Sequence, residues 1–512
     1  MEPSEREESG EPAESGEPAE SSALGAFAAL DFYAFSHLLR FLHSVDVARL
    51  GGCSTALRAC CLDDSALWKA MLEREHGPVL ANIGPAPAAC ARSLFPRARA
   101  LSSLSTVAWT QHTVSVTPRE GSACAVVGGT PTLQQRPHSS NHAHRTDDLI
   151  LVGGWTPAGL SSEVARMWTV PSGPIQFRGL VCPSARMPPR YGHSCTAVAN
   201  GLLIFGGMTG GGYTGELNDI WLLKTPQDLD ATAPQLRPTC SGEMPQRRGY
   251  HSACASADGR LLYIFGGIGN NESLASFHVL DTDSWTWTAV TSPSASQPCA
   301  RFGHSMLLFG EHLWLFGGGT GGDLLRDGVD LTDVWTYCLR SGEWTQVELV
   351  SPAPYSANLG RCHSAVKVGH KALFFGGSMR TSNHVSWFDT QSGAFGAPLV
   401  APRTVDDRVP EPLPAPRFTH LAAAVGSTVL VACGYKHGPF ARGCLGDVWS
   451  MQLCPDAEQR QRAQQQGPEL IGEEEEEEEG WEEEEMEEMD EDDYFDDEGL
   501  SASGEEDDGE EY

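Results

Sequence analysis

Five histidines recur along this 512-residue chain, at positions 193, 251, 304, 363 and 420. Imidazoles bind metals and move protons, so a recurring histidine is the first candidate for chemistry. Most stand in copies of one phrase: Arg190-Tyr191-Gly192-His193-Ser194, Arg248-Gly249-Tyr250-His251-Ser252, Arg301-Phe302-Gly303-His304-Ser305 and Arg361-Cys362-His363-Ser364. A metal needs its ligands within about 2 Å of a single ion. One histidine per repeat, spread around a ring, does not meet that demand, and the pattern favours a structural role. Thr209-Gly210-Gly211-Gly212 and the glycine run 317–322 lack the lysine of a phosphate-binding loop. No nucleophile and base arrangement rises above chance, and the expectation is a protein that is not an enzyme, without metal or cofactor.

Composition narrows the classes further. The net charge of -33 sits wholly in the two ends. Residues 1–22 hold eight glutamates and one arginine, residues 473–512 hold twenty-six acids and no lysine or arginine, and residues 23–472 therefore balance. A neutral body with acidic ends argues against nucleic-acid or membrane binding. The fifteen cysteines form no Cys-x-x-Cys pair and read as small apolar residues of a reducing compartment. The acidic start Met1-Glu2-Pro3-Ser4-Glu5 is unlike a signal peptide, and no apolar run reaches the length of a membrane span, so the expected location is cytoplasmic or nuclear.

The elements that must carry the histidines are strands. From about residue 100 to Cys454, apolar runs alternate with glycine-rich turns: 149–152, 202–205, 261–265, 312–316, 372–375 and 428–432. They are mostly continuous rather than alternating, which predicts strands buried on both faces. Glycine pairs begin at 153, 206, 266, 317 and 376, and Cys433-Gly434 is a worn sixth copy. Their spacing of 51 to 60 residues means that no unit can bury its apolar face alone, so the units must stack. The last unit has no aromatic closing strand after Trp449, whereas Val107-Ala108-Trp109-Thr110-Gln111 precedes the first. Residues 106–115 are therefore expected to close the ring, because an open one would expose sheet edges. The phrase Arg119-Glu120-Gly121-Ser122 is a poor copy, and the polar stretch 128–146 reads as a solvated hairpin inserted in the first unit.

Two family resemblances follow from these residues. The glycine pairs and the phrases Asp219-Ile220-Trp221, Asp333-Val334-Trp335 and Asp447-Val448-Trp449 resemble kelch repeats, which implies a mainly β, six-bladed propeller of four strands per blade. Leu30 to Trp68, with apolar residues at helical spacing, resembles an F-box and implies a small three-helix domain, with Asp31 where that family usually has proline. The domain reading is a disordered acidic segment at 1–22, the F-box at 23–76, a linker at 77–105, the propeller at 106–454 and a disordered acidic tail at 455–512.

Together the resemblances imply the substrate receptor of an SCF-type E3 ubiquitin ligase. Leu30, Leu38, Phe41, Leu42, Leu50, Leu57 and Trp68 would bind the Skp-family adaptor, which bridges to the cullin, and the propeller would hold a protein substrate whose identity the sequence does not reveal. The alternative is a kelch interaction scaffold outside the ubiquitin system. By likeness to kelch ligase adaptors, Arg190, Arg248, Arg301, Arg361 and Arg417 are candidates for gripping an acidic peptide, since arginine's planar fork pairs carboxylates bidentately. The bland counterpart is that each arginine ties its own blade to a neighbour. The acidic tail, with Trp481, Met486, Met489, Tyr494 and Phe495 among its acids, is a second candidate interaction arm.

Overall fold

The computed structural model describes Ala98, Ser103, Leu104 and most of residues 106–453. Outside the described residues lie 1–97, 128–147, 169–174, 181–186, 211–214, 225–234, 322–327, 350–358, 378–382, 402–412, 437–442, 454–512 and a few single or paired positions. The F-box-like stretch, both acidic tails and the expected insertion at 128–146 therefore fall outside them.

Six antiparallel sheets form the blades of a propeller. Blade one holds Ala123–Val127, Asp148–Thr156, Gly159–Trp168 and Gln176–Leu180. Blade two holds Ser194–Val198, Gly201–Phe205, Ile220–Leu223 and Gln235–Leu236; blade three holds Ser252–Ala255, Leu261–Phe265, Phe277–Asp281 and Thr286–Val290. Blade four holds Ser305–Phe309, His312–Thr320, Val329–Cys338 and Glu343–Gln346; blade five holds Ser364–Val368, Lys371–Phe375, Val385–Asp389 and Ala394–Gly396. Blade six takes Leu421–Val425, Thr428–Ala432 and Val448–Gln452 from the end of the domain and its fourth strand, Thr106–His112, from the beginning. The innermost strands touch in cyclic order, the sixth meeting the first.

Strand burial follows from this stacking. The second strands of blades two, three and six each show four consecutive buried residues, and Lys371–Phe375 is buried throughout. Their two faces meet different neighbours, so the core lies between blades rather than inside one body. Phe265 and Phe277 of blade three pack on Tyr337 and Trp344 of blade four, with ring centroids 4.9 to 5.6 Å apart. Leu149, Leu151 and Met167 of blade one share a cluster with Leu430 and Val448 of blade six, so the seam where the chain closes is as apolar as the others.

Two blades depart from four strands. Leu399–Ala401 runs parallel outside Thr106–His112, and Ser241–Gly242 runs parallel outside Thr286–Val290. In each case chain passing between blades covers an outer edge and pairs its backbone groups.

Candidate functional site

The repeated phrase converges on the propeller axis. The residue before each histidine place has a left-handed backbone: Gly121, Gly192, Tyr250, Gly303, Cys362 and Thr419, with φ between 50° and 62°. That conformation turns each N–H toward the preceding blade. Gly192 donates to the carbonyl of Gly121, Tyr250 to Gly192, Gly303 to Tyr250, Cys362 to Gly303, Thr419 to Cys362 and Gly121 to Thr419, at 2.7 to 3.2 Å. Six backbone hydrogen bonds thus run head to tail around the axis. Tyr250, Cys362 and Thr419 hold this conformation without glycine's freedom, at a cost of about 1 kcal/mol or more each.

Below this ring lies a second one, of side chains. Nε2 of His251, His304, His363 and His420 meets the hydroxyl of Ser194, Ser252, Ser305 and Ser364 respectively, each on the preceding blade, at 2.7 to 2.9 Å. Blade one breaks the pattern, because Ser122 and Ala123 stand where the others have histidine and the following residue. The Ser122 hydroxyl donates instead to the Gly153 carbonyl, and Nε2 of buried His193 meets no hydrogen-bond partner among the described residues. The two rings line an open axial pocket of about 130 Å³.

Paired serine and histidine could suggest a nucleophile and its base, but the electrostatics work against it. Burial, and then the charge of the neighbouring arginine, hold His193 and His420 down to about 3. The same two causes hold His251 and His304 well below the usual imidazole range, and burial holds His363 at about 4. Imidazoles so reluctant to accept a proton are poor general bases. Among the described residues no three histidine, cysteine or acidic side chains gather as metal ligands.

Arg190, Arg301 and Arg417 are buried, each forked onto an aspartate of its own blade. Arg190 binds Asp219 at 2.7 and 2.8 Å, Arg301 binds Asp333 at 2.7 and 2.9 Å, and Arg417 binds Asp447 at 2.7 Å twice. Trp221, Trp335 and Trp449 donate their indole N–H to the same carboxylates, which explains the spacing of the Asp-x-Trp phrases. Burial pushes these carboxyls up, but the arginine hydrogen bonds and charge outweigh it and the net shift is downward.

The arginine backbone does the work between blades. The carbonyl of Arg248 accepts from the N–H of Gly207 on blade two, and the Arg119 carbonyl accepts from Gly434 across the closing seam. A Cβ built on Gly206 would stand 2.7 Å from that Arg248 carbonyl, so the first glycine of the pair is fixed by the approach of the next blade.

Two positions correct the sequence reading. Counting back three residues from His363 gives Gly360, so Arg361 stands one place later than the other nominated arginines. Its guanidinium reaches Asp330 at 3.0 Å and the Gly328 carbonyl, both on the blade-four side, so one deleted residue in the phrase redirects the side chain. Conversely, Arg119 of the poor copy belongs to the set: it is fully buried and binds Glu163 of its own blade. Its position three residues before Ser122 was the available signal.

Four of the five nominated arginines thus spend their guanidinium groups inside the blade, and Arg361 ties two blades together. Beside them Tyr191, Phe302, Cys362 and Phe418 form a buried apolar cluster, with the partly exposed Trp155 and Tyr435 packed against it and the Arg361 guanidinium 6.0 Å over the Phe302 ring. Burial raises Glu120 to about 7 against the pull of the Thr419 hydroxyl at 3.3 Å.

The pairs make a direct prediction. Asp219→Asn leaves Arg190 buried without a counter-charge and sets an amide N–H₂ against two donors, which should cost about 3 kcal/mol. Urea unfolding of the variant measures this, and an unchanged midpoint would remove the stabilising role assigned to the pair.

Residues 125–318 and 228–395 match the model of the KLHDC2/KLHL20/DRC7 Kelch-repeats domain. The chain is similar to the F-box/kelch-repeat protein At1g51550 of Arabidopsis thaliana, at 32% identity over 47% of this chain and 51% of that protein. It is also similar to Host cell factor homolog hcf-1 of Caenorhabditis elegans, at 25% identity over 60% of this chain and 42% of that one. Kelch domain-containing protein 3 of Homo sapiens is 30% identical over 38% of this chain and 49% of its own length. The chain thus spans about half, or less, of the length of these relatives.

Proposed function

This chain belongs to the kelch-repeat family, and we propose that it is the substrate-recognition subunit of an SCF-type E3 ubiquitin ligase. The observation that carries this reading is the order of parts: an F-box-like stretch from Leu30 to Trp68 precedes a closed kelch propeller. The Arabidopsis relative, named an F-box/kelch-repeat protein, supports it. In this reading Leu30, Leu38, Phe41, Leu42, Leu50, Leu57 and Trp68 contact the Skp-family adaptor. The propeller presents a protein substrate, with the partly exposed Trp155 and Tyr435, beside Glu120, as its binding surface and the arginines as the frame behind it. Such a subunit contributes no reacting group. It raises the local concentration of substrate lysines beside the charged conjugating enzyme.

Co-purification tests the reading. The full chain should carry a Skp-family adaptor, and Leu42→Asp or Trp68→Ala should remove it by at least about tenfold, the loss of one buried anchor at a binding interface. Thermal unfolding of the propeller should stay unchanged in both variants. A full chain that captures no adaptor favours the second reading, a kelch scaffold outside ubiquitin chemistry. That alternative draws support from relatives such as Host cell factor homolog hcf-1, whose names carry no F-box.

A further inference from the structure

Blade three is the one place where the arginine pair is half present. The residue just before the one that pairs with the end of the second strand's apolar run is Glu163, Asp219, Asp333 and Asp447 in blades one, two, four and six. Each of these acids meets the buried arginine of its own blade. Blade five has lost both members, with Gly360 in the arginine place and His384 in the acid place. Blade three keeps Arg248 but has Ser276 in the acid place.

The consequence is a buried cation short of an anion. Arg248 is fully buried; its Nη1 donates to the Gly266 carbonyl and its Nη2 to the Ser276 hydroxyl at 2.8 Å. In blade two the equivalent Nη1 of Arg190 has a second acceptor, a carboxylate oxygen of Asp219. No carboxylate lies within ion-pair distance of Arg248 among the described residues. Burial accordingly lowers the arginine to about 10. Two residues after Ser276, where three blades have the tryptophan that donates to the acid, stands His278. It is buried, its Nδ1 meets no hydrogen-bond partner among the described residues, and burial followed by the charge of Arg248 holds it at about 4.

Ser276 itself is exposed, as are the preceding Ala275 and the hairpin tip Asn270 to Glu272. Serine is also a residue that a protein kinase can turn into an anion. We propose that Ser276 is a phosphorylation site whose phosphate supplies blade three with the anion that Arg248 lacks. The Ser276 oxygen attacks the terminal phosphorus of a nucleoside triphosphate, its proton passes to the base of the kinase, and the bond to the nucleoside diphosphate breaks. The product carries three acceptor oxygens and a charge of about -1.5 to -2 at neutral pH. Those oxygens meet both terminal nitrogens of Arg248 and the unpartnered side of His278, as carboxylate and indole do in the neighbouring blades. This assignment does not depend on the ligase reading, since it concerns the frame and not its partner.

Three measurements on the full chain test it. Peptide mass mapping of protein from eukaryotic cells with phosphatases blocked should find phosphate on Ser276; its absence would overturn the site. Recombinant chain with phosphoserine installed at 276 should melt about 2 °C or more above the unmodified chain, and Ser276→Asp should move in the same direction. Phosphorus NMR gives the readout that no general stabilisation would mimic. Phosphoserine loses its second proton near pH 6 in free peptides, and beside Arg248 that step should fall by about one unit, returning to the peptide value in urea. A melting point that does not rise, or a phosphate that titrates as a free one in the folded chain, would refute the pairing.

Discussion

Deleting Thr106–His112 should abolish the cooperative unfolding of the propeller. This strand lies between Val448–Gln452, which it pairs antiparallel over five residues, and Leu399–Ala401, which it pairs parallel over three. Its removal strips hydrogen-bonding partners from both neighbours. It also removes Val107, Ala108 and Trp109, all buried, with Trp109 packed 5.2 Å from Phe375 and 6.5 Å from Trp449. Trp109→Ala alone should cost about 3–5 kcal/mol, and the full deletion adds two unpaired edges. Because the ring of six backbone bonds and the clasp from Gly434 to Arg119 require all six blades in place, the loss is transmitted around the axis. Calorimetry should show one sharp transition in the full chain, a lower one in Trp109→Ala and none in the deletion. A deletion variant with a single transition near the original midpoint would refute closure by this strand.

Mild acid should unfold the propeller with a steep pH dependence. His193, His251, His278, His304, His363 and His420 are all held below the usual imidazole value by burial. The unfolded chain takes up a proton at each near pH 6.5, while the folded one resists until about pH 4 or lower. Between those limits unfolding binds protons, so stability falls as pH falls. Glu120 acts in the opposite sense: raised to about 7 when folded, it holds a proton that the unfolded chain releases down to about pH 4.5. The net uptake near pH 5 therefore approaches five protons, a slope of about 7 kcal/mol per pH unit. Below pH 4 the depressed Asp219, Asp333 and Asp447 add to the loss in the same direction. Urea midpoints from pH 7 to pH 5 measure the slope. An uptake below two protons would mean that the imidazoles are charged in the folded chain and that the axial ring does not bury them.

Much of the fold was legible because its causes are local in sequence. A continuous apolar run with glycines after it specifies a strand buried on both faces and the turn that follows. Six copies of that unit, with the sixth lacking its last strand and a spare at Val107 to Gln111, count out a six-bladed ring with an N-terminal closure. The histidines' even spread did not reveal that all five line one axial pocket, where serines of the preceding blade hold four of them.

The destinations of the polar side chains were not legible. The partners of Arg190, Arg301 and Arg417 lie 29, 32 and 30 residues downstream, and the serines that meet the histidines lie 52 to 58 residues upstream. Such pairings exist only once two elements are brought together. An arginine suited to gripping an acidic peptide is equally suited to gripping an aspartate of its own blade, and residue type cannot choose between them. Burial chose: a guanidinium enclosed by the core must find its anion inside the chain. The single residue missing before His363 sent Arg361 elsewhere, and the serine at 276 left Arg248 short of its anion. The sequence alone thus determined the number of blades, their strands and how the ring closes, because turn chemistry and apolar period act over neighbouring residues. The tertiary structure alone decided which charges are satisfied, because that depends on which residues far apart in sequence the blades bring together.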